Sequence, residues 1–341
     1  MLACAFAGLF LYRQRLLAVI VIGGTGLMVA LAFVFLSAPD LALTQLMVET
    51  VTLALMLLGM NYLPAQSPPE HSRWRKRRDA LIAVVAGTGL AALAYTMMTL
   101  PPDTIAGEML ARALPEAYGH NVVNVILVDF RGFDTFGEIT VLGIAALAIY
   151  ALLDGALFGR TGRRLGAWSP DRPQSADRHP MIMVVATRVM LPLAMLVGAY
   201  IFLRGHNQPG GGFIAALVVS IALIMQYMAS GFGWAAHRVK VNYHAMIGLG
   251  VLVAAATGVG AMVLDQPFLT STFGHFHLPL VGEFELASAM AFDTGVFLTV
   301  VGAVMLMLAN LSRMGRWTSP YTINTGAMDV DPRATSGKEQ G

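Results

Sequence analysis

Eight times along this chain a window of about twenty residues is almost wholly apolar: Leu17–Leu36, Leu41–Leu63, Ala80–Leu100, Asp134–Leu153, Met181–Leu203, Gly211–Phe232, His244–Leu264 and Leu286–Leu311. A helix of that length crosses the ~30 Å hydrocarbon core of a bilayer. No water reaches that core to pair backbone N–H and C=O groups, so each run must satisfy its own, as a helix does. The expected fold class is therefore all-α. It is a polytopic integral membrane protein with about eight full transmembrane helices and a partial first one at Met1–Tyr12. Composition agrees: 56% of the 341 residues are hydrophobic and 12% are charged, against about 25% charged in a soluble chain.

The charges sort by connection. Arg13 and Arg15, then Arg73, Arg75, Lys76, Arg77 and Arg78, then Arg160, Arg163, Arg164, Arg172 and Arg178, then Arg238 and Lys240, then Arg313 and Arg316 occupy alternate connections. Between them, Pro101–His120 holds Arg112 alone and Asp265–Glu285 holds neither Lys nor Arg. The positive-inside rule places the basic set in the cytoplasm, and one crossing per span keeps every basic connection on that side. The same count leaves Asn121–Phe130 no crossing of its own. It is expected to be a half-helix on the outer side, continuing after a break near Arg131–Asp134. Four regions follow: a membrane region at 1–156, a basic cytoplasmic linker at 157–180, a four-helix membrane domain at 181–314 and a polar tail at 315–341. Met1–Tyr12 lacks the basic leader and cleavage site of a signal peptide. It looks like the tail of a helix whose beginning is missing, so a fragment of a longer chain is expected.

Several function classes drop out. The single Cys4 leaves no disulfide framework within the chain and no cysteine-ligated metal site. The glycine-rich run Gly210–Gly212 is not followed by the GK[ST] of a phosphate loop. No nucleophile–base pair and no flavin or nicotinamide fingerprint is visible, so no enzyme activity and no cofactor are expected. The cluster Arg73–Arg78, with Trp74 inside it, sits between two spans. It reads as a topology signal and an anionic-lipid contact rather than a nucleic-acid site. His275 and His277 form an H-x-H pair with no third ligand in view, so no resident metal is expected.

What remains is a set of ionisable residues in apolar surroundings. A charge inside a membrane helix costs at least ~2.5–3.5 kcal/mol, which makes each one a functional hypothesis. Asn121–Leu153 carries Asp129, Arg131, Asp134 and Glu138, with Gly132 and Gly137 between them inviting a bend. Broken helices with acids beside them are a common way to build an ion site. The alternative for Asp129, Arg131 and Asp134 is a surface loop. Asp134 and Glu138, four apart, share a helical face. Glu49 lies roughly 13 Å into its span and forms a stripe with Gln45 and Thr52. It is either a core hydrogen-bonded residue or a carrier: burial raises a carboxyl pKa and a nearby cation lowers it, so a group balanced between the two can exchange H+ for Na+. Asp40, after Pro39, is a candidate N-cap. Asp293 sits inside the last span with Glu283 and Glu285 at its mouth. Arg188 either snorkels to the surface or pairs with an acid. His206 lies in the sharp turn Arg204–Phe213, as a turn residue or a ligand. Hydroxyls such as those of Thr52 and Thr140 would add oxygen ligands for a hard cation.

PDLALTQLMVETVTLALMLL at 39–58 and VVNVILVDFRGFDTFGEITVLGIAALAIYALL at 122–153 resemble the C-terminal region of the large A subunit of the multisubunit Mrp-type Na+/H+ antiporters. From Met181 to about Met314 the chain resembles the B subunit of the same complexes, with its RGHNQPGGGF turn and FDTGVFL span. The resemblance implies a fused piece of both subunits, without the many-helix antiporter-like module that begins the larger one. It implies a place in a complex of the bacterial inner membrane, partnered by the other subunits and exchanging Na+ (or Li+ or K+) outward for H+ inward. It also implies ion-path roles for Glu138 and Glu49 and, more weakly, for Asp40, Asp129 and Asp134. The rivals are a membrane subunit of a related redox-driven complex, whose ion-path residues would be the same, and a non-conducting scaffold.

Overall fold

A computed structural model describes residues 2–60, 66, 72–100, 103–158, 181–230, 241–278 and 282–318. Most of the expected linker at 157–180, the connection with Arg238 and Lys240, and the tail from 319 fall outside the described residues. The chain folds as helices α1 (Leu2–Leu11), α2 (Arg15–Phe35), α3 (Pro39–Met60), α4 (Arg73–Thr99), α5 (Ala106–Ala117) and α6 (Val122–Val125). A π-helical turn (Ile126–Phe130) leads into α7 (Gly132–Phe158). There follow α8 (Met181–Arg204), α9 (Gly212–Ser230), α10 (Tyr243–Val263), strands β1 (Phe273–Leu278) and β2 (Gly282–Ala287), and α11 (Ser288–Thr318). Eight of these helices are long and apolar enough to cross a membrane, and they fall on the eight apolar windows.

Three elements depart from expectation. Helix α4 starts at Arg73 rather than Ala80, because the Ser72 hydroxyl accepts the Arg75 N–H at 3.3 Å and carries the helix into its basic stretch. Helix α11 starts at Ser288 rather than Leu286, because Leu286 and Ala287 belong to an antiparallel hairpin, in register Phe273↔Ala287 to Leu278↔Gly282. Thr272 N–H donates to Ser288 Oγ at 2.8 Å and Ser288 N–H to Thr272 O at 2.9 Å, which closes the hairpin onto the helix. The 103–120 connection is not plain loop. It contains α5, where Arg112 pairs with Glu108 at 2.7 Å on one face while Ala113 and Ala117 pack on Val125 with the other.

Helices α9 and α11 form the centre, with α3, α7, α8 and α10 around them. Both membrane regions feed one core: Val51, Val128 and Ile139 from the first, Ile224, Phe292, Val296 and Met305 from the second. Helix α4 buries none of its residues against the rest of the chain. The connections sort onto two ends as the charge count requires. Asp40, the Asn121 segment, the 205–211 turn and Ser271 meet at one end. At the other, Gln14 bridges to Gln66 and the Tyr150 ring stands edge-on to His244 at 4.7 Å.

Candidate functional site

The broken helix is built by its own side chains. The Asn121 side chain accepts the Asn124 N–H at 3.4 Å and starts α6. After one α-turn the backbone widens into the π-turn, where the Arg131 N–H reaches Ile126 O at 2.7 Å. Arg131, at φ −127° and ψ 30°, ends that turn, and α7 begins at Gly132. A carbonyl freed by such a discontinuity needs a new partner; Thr135 Oγ donates to Leu127 O at 2.7 Å and supplies it. The break thus falls at Arg131. Gly137, expected to help bend the chain, lies inside regular helix. π-turns of this kind concentrate at functional sites.

Against this segment lies the turn that joins α8 to α9. Asn121 Nδ2 donates to Gly205 O and Gln208 O, both at 3.0 Å, and the Asn121 N–H donates to His206 O at 3.1 Å. His206 Nε2 is 2.9 Å from Ala117 O, and since a carbonyl only accepts, Nε2 carries the proton. Arg204 Nε donates to Pro209 O at 3.0 Å. Gly211 has φ +106°, where a side chain is strained, and a Cβ there would stand 2.7 Å from Asn124 Nδ2.

Two carboxylates enter the turn from other helices. Asp40 Oδ1 accepts the Gly210 N–H at 2.8 Å, with the Asn121 side chain as a further partner and the Arg204 charge facing it. Contrary to expectation, Asp40 does not cap its own helix. The Ala42 N–H bonds Ala38 O at 3.1 Å, so Pro39 takes the first helical position and Asp40 lies in the first turn, its carboxylate directed to the second region of the chain. Asp293 is buried on α11 and accepts the Gly212 N–H and a bond from Asn124. A third acid, Asp129, accepts the Ser271 N–H at 3.2 Å. Asp129 lies outside the eight crossing helices, and burial pushes its carboxyl above the ordinary range while the bond from the Ser271 N–H pulls it down.

The other candidates are placed differently. Asp134 and Glu138 stand exposed one turn apart on α7, beside the equally exposed Phe133 and Val141. Asp134 pairs with Arg131, which is itself exposed. Among the described residues Glu138 makes no hydrogen bond or ion pair. Thr140, two residues on and so turned away from Glu138, is half-buried, its hydroxyl donating to Phe136 O at 2.8 Å. Glu49 is half-buried midway along α3, its carboxylate lying in the space that a side chain at Gly26 of α2 would fill. Gln45 is half-buried and Thr52 exposed on the same helix. Arg188 stands exposed on α8. His275, His277, Glu283 and Glu285 lie on the hairpin, with His275 opposite Glu285 and His277 opposite Glu283 in register. Among the described residues no three His, Cys, Asp or Glu side chains converge as metal ligands.

Asn121, Asn124, Ser271 and Gly26 escaped the sequence reading. The N-x-x-N spacing at 121 and 124 looks like a helix start, which it also is. Its second role depends on a turn more than eighty residues away.

Residues 182–306 match a family model described as a domain related to the MnhB subunit of Na+/H+ antiporter. Residues 74–157 match the model of the MbhE component of MBH, and residues 1–65 that of the MbhD component. A relative from Rhizobium meliloti (strain 1021), described as the A/B subunit of a probable K(+)/H(+) antiporter, is 45% identical over 335 residues, covering 91% of this chain and 33% of that protein. The B subunit of the Na(+)/H(+) antiporter of Bacillus subtilis (strain 168) is 40% identical over 133 residues, covering 39% of this chain and 93% of that protein. Among solved structures, the Mrp complex from Dietzia sp. DQ12-45-1b contains a chain that superposes with a TM-score of 0.76 at 33% identity, over 90% of this chain and 33% of that one. The chain thus spans about a third of the length of the first of these relatives.

Proposed function

This chain belongs to the Mrp-type multisubunit cation/proton antiporters, joining the C-terminal region of their A subunit to their B subunit, and on that premise we propose that it contributes acids to an exchange path for H+ and Na+ or K+. The reading is supported most by one observation: Asp134 and Glu138 stand one turn apart, exposed, at the head of a crossing helix that is apolar from Val141 to Leu153. Charges so placed are costly against lipid and need a cation, a proton or a neighbouring protein to offset them. Glu138 can hold a proton or a hard cation in turn. Glu49, in the groove that Gly26 leaves, is a second way-station. Arg131 pairs with Asp134 and so sets the charge that Glu138 meets. Other subunits of the complex would cover this face, and anionic lipid would meet the basic connections, in a bacterial cell membrane. The chain is then part of a transporter rather than an enzyme.

Asp40, Asp129 and Asp293 take a different part. Each already accepts a backbone N–H, which fixes its carboxylate in one arrangement. They are proposed as flanking groups that hold the path's walls.

The test is Na+- and K+-dependent pH change in membrane vesicles, normalised to assembled complex on native gels. Glu138→Gln keeps size and hydrogen-bonding capacity but removes the titratable charge, so antiport should be lost with complex content intact. Glu138→Asp should keep part of the activity and shift its pH profile. Equal activity for Glu and Gln would sink the carrier role and favour a scaffold.

A further inference from the structure

Helices α3, α6 and α11 each send a side chain to the turn between Arg204 and Gly212, and Asn121 adds one from the segment before α6. Asp40 takes the N–H of Gly210, Asp293 that of Gly212, Asn121 the carbonyls of Gly205 and Gln208, and Asn124 bonds Asp293. The N–H of Gly212 is an orphan donor in the first turn of α9, where a carboxylate is favoured both as acceptor and as charge, and that of Gly210 is a donor of the turn just before it. Asp40 is 8% and Asp293 9% exposed, so water does not compete for these bonds.

We propose that this turn is a clasp that sets the register of α8–α11 against α3, α6 and α7: Asp40 latches it to α3 through the Gly210 N–H, and Asp293, which holds the Gly212 N–H within its own region, latches it to α6 through Asn124. The apolar contacts between the two regions, such as Val51 and Ile139 against the α9–α11 core, bring the helices together but cannot choose a register. Lipid tails are as apolar as those side chains, and a helix turned or slid by one turn would bury as much. A buried carboxylate aimed at one N–H tolerates no such shift, because the donor left behind would be unpaired. Where the second region is a protein of its own, as in the Bacillus subtilis relative, the same clasp would dock one polypeptide on another. The inference does not depend on any acid carrying an ion.

The test uses the full chain in native membranes, on a Cys4→Ser background. An ideal Cβ at Gly143 of α7 stands 3.1 Å from Ile247 Cγ2 of α10, where a cysteine sulfur would sit. Gly143→Cys with Ile247→Cys therefore reports register far from the clasp. A second pair, Ile247→Cys with Gly302→Cys, joins α10 to α11 within one region, where a Cβ at Gly302 stands 2.9 Å from Ile247 Cγ1. Disulfide formation is scored as loss of maleimide labelling. Asp40→Asn/Asp293→Asn should keep the 143–247 link, since an amide oxygen still accepts each N–H. Asp40→Ala/Asp293→Ala should cut it about fivefold or more while the 247–302 link persists. An unchanged 143–247 link in the double alanine chain, or its loss in the double asparagine chain, overturns the proposal. The readout is a cross-link, so it stands whether or not Glu138→Gln abolishes transport.

Discussion

The acids of this protein fall into two regions that chemistry treats in opposite ways. At the clasp end, Asp40, Asp129 and Asp293 each accept a backbone N–H from a distant part of the chain. Along the outer face of α7, Asp134 meets only its neighbour Arg131, and Glu138 meets nothing among the described residues. A carboxylate committed to a backbone donor stabilises one arrangement of helices and resists exchanging ligands. A carboxylate left open in an apolar helix gains from any proton, cation or partner that arrives. All five of these acids sit within about three residues of a helix start or a helix break, or inside an apolar span, so position alone does not separate them.

The largest expected contrast comes from neutralising one acid of each kind. Glu138→Gln should reduce Na+- or K+-dependent pH change in vesicles to background, whereas Asp293→Asn should leave most of it. If Asp293→Asn were the more damaging at equal complex content, the two regions would have to exchange roles. Next in size is Gly211→Val. It places a β-branched residue at φ +106° and pushes a Cβ onto Asn124, so thermal unfolding in detergent should show a loss of about 1–3 kcal/mol. A transition at the wild-type temperature would mean that the turn is not under the constraint its geometry implies. Smaller again is Gly26→Ala. Its added methyl occupies the place of the Glu49 carboxylate, so transport should fall several-fold while α2 and α3 stay packed and complex content holds. Unaltered transport would remove Glu49 from the path. The smallest effect belongs to Arg112→Ala on α5, where both partners of the Glu108 pair are more than half exposed. Stability should change by no more than about 1 kcal/mol, and a larger loss would reveal a partner for that face.

Much of this architecture was legible beforehand. The eight crossing helices, the partial helix before them, the break near Arg131 and the sorting of connections onto two ends all follow from apolar length and charge placement. The α5 helix was not anticipated, although Glu108, Arg112 and Glu116 at four-residue spacing mark a helical face. The two hairpin strands were absorbed into a loop and the head of a span, because Leu286 and Ala287 are as apolar as the helix that follows.

What the amino-acid sequence by itself determined is therefore what the bilayer dictates: which stretches cross as helices and which connections share an end. Those follow from the cost of bare backbone groups and bare charges in hydrocarbon, which every residue pays locally. Tertiary structure alone decided that Asp293 turns inward to Gly212 while Glu138 turns outward, that Asp40 reaches across to Gly210, and that Glu49 lies in the space kept by Gly26. A soluble helix announces its inner face by being apolar there and polar elsewhere. These helices are apolar all round, because lipid and protein core make the same demand, and so only packing against a particular neighbour chooses the face.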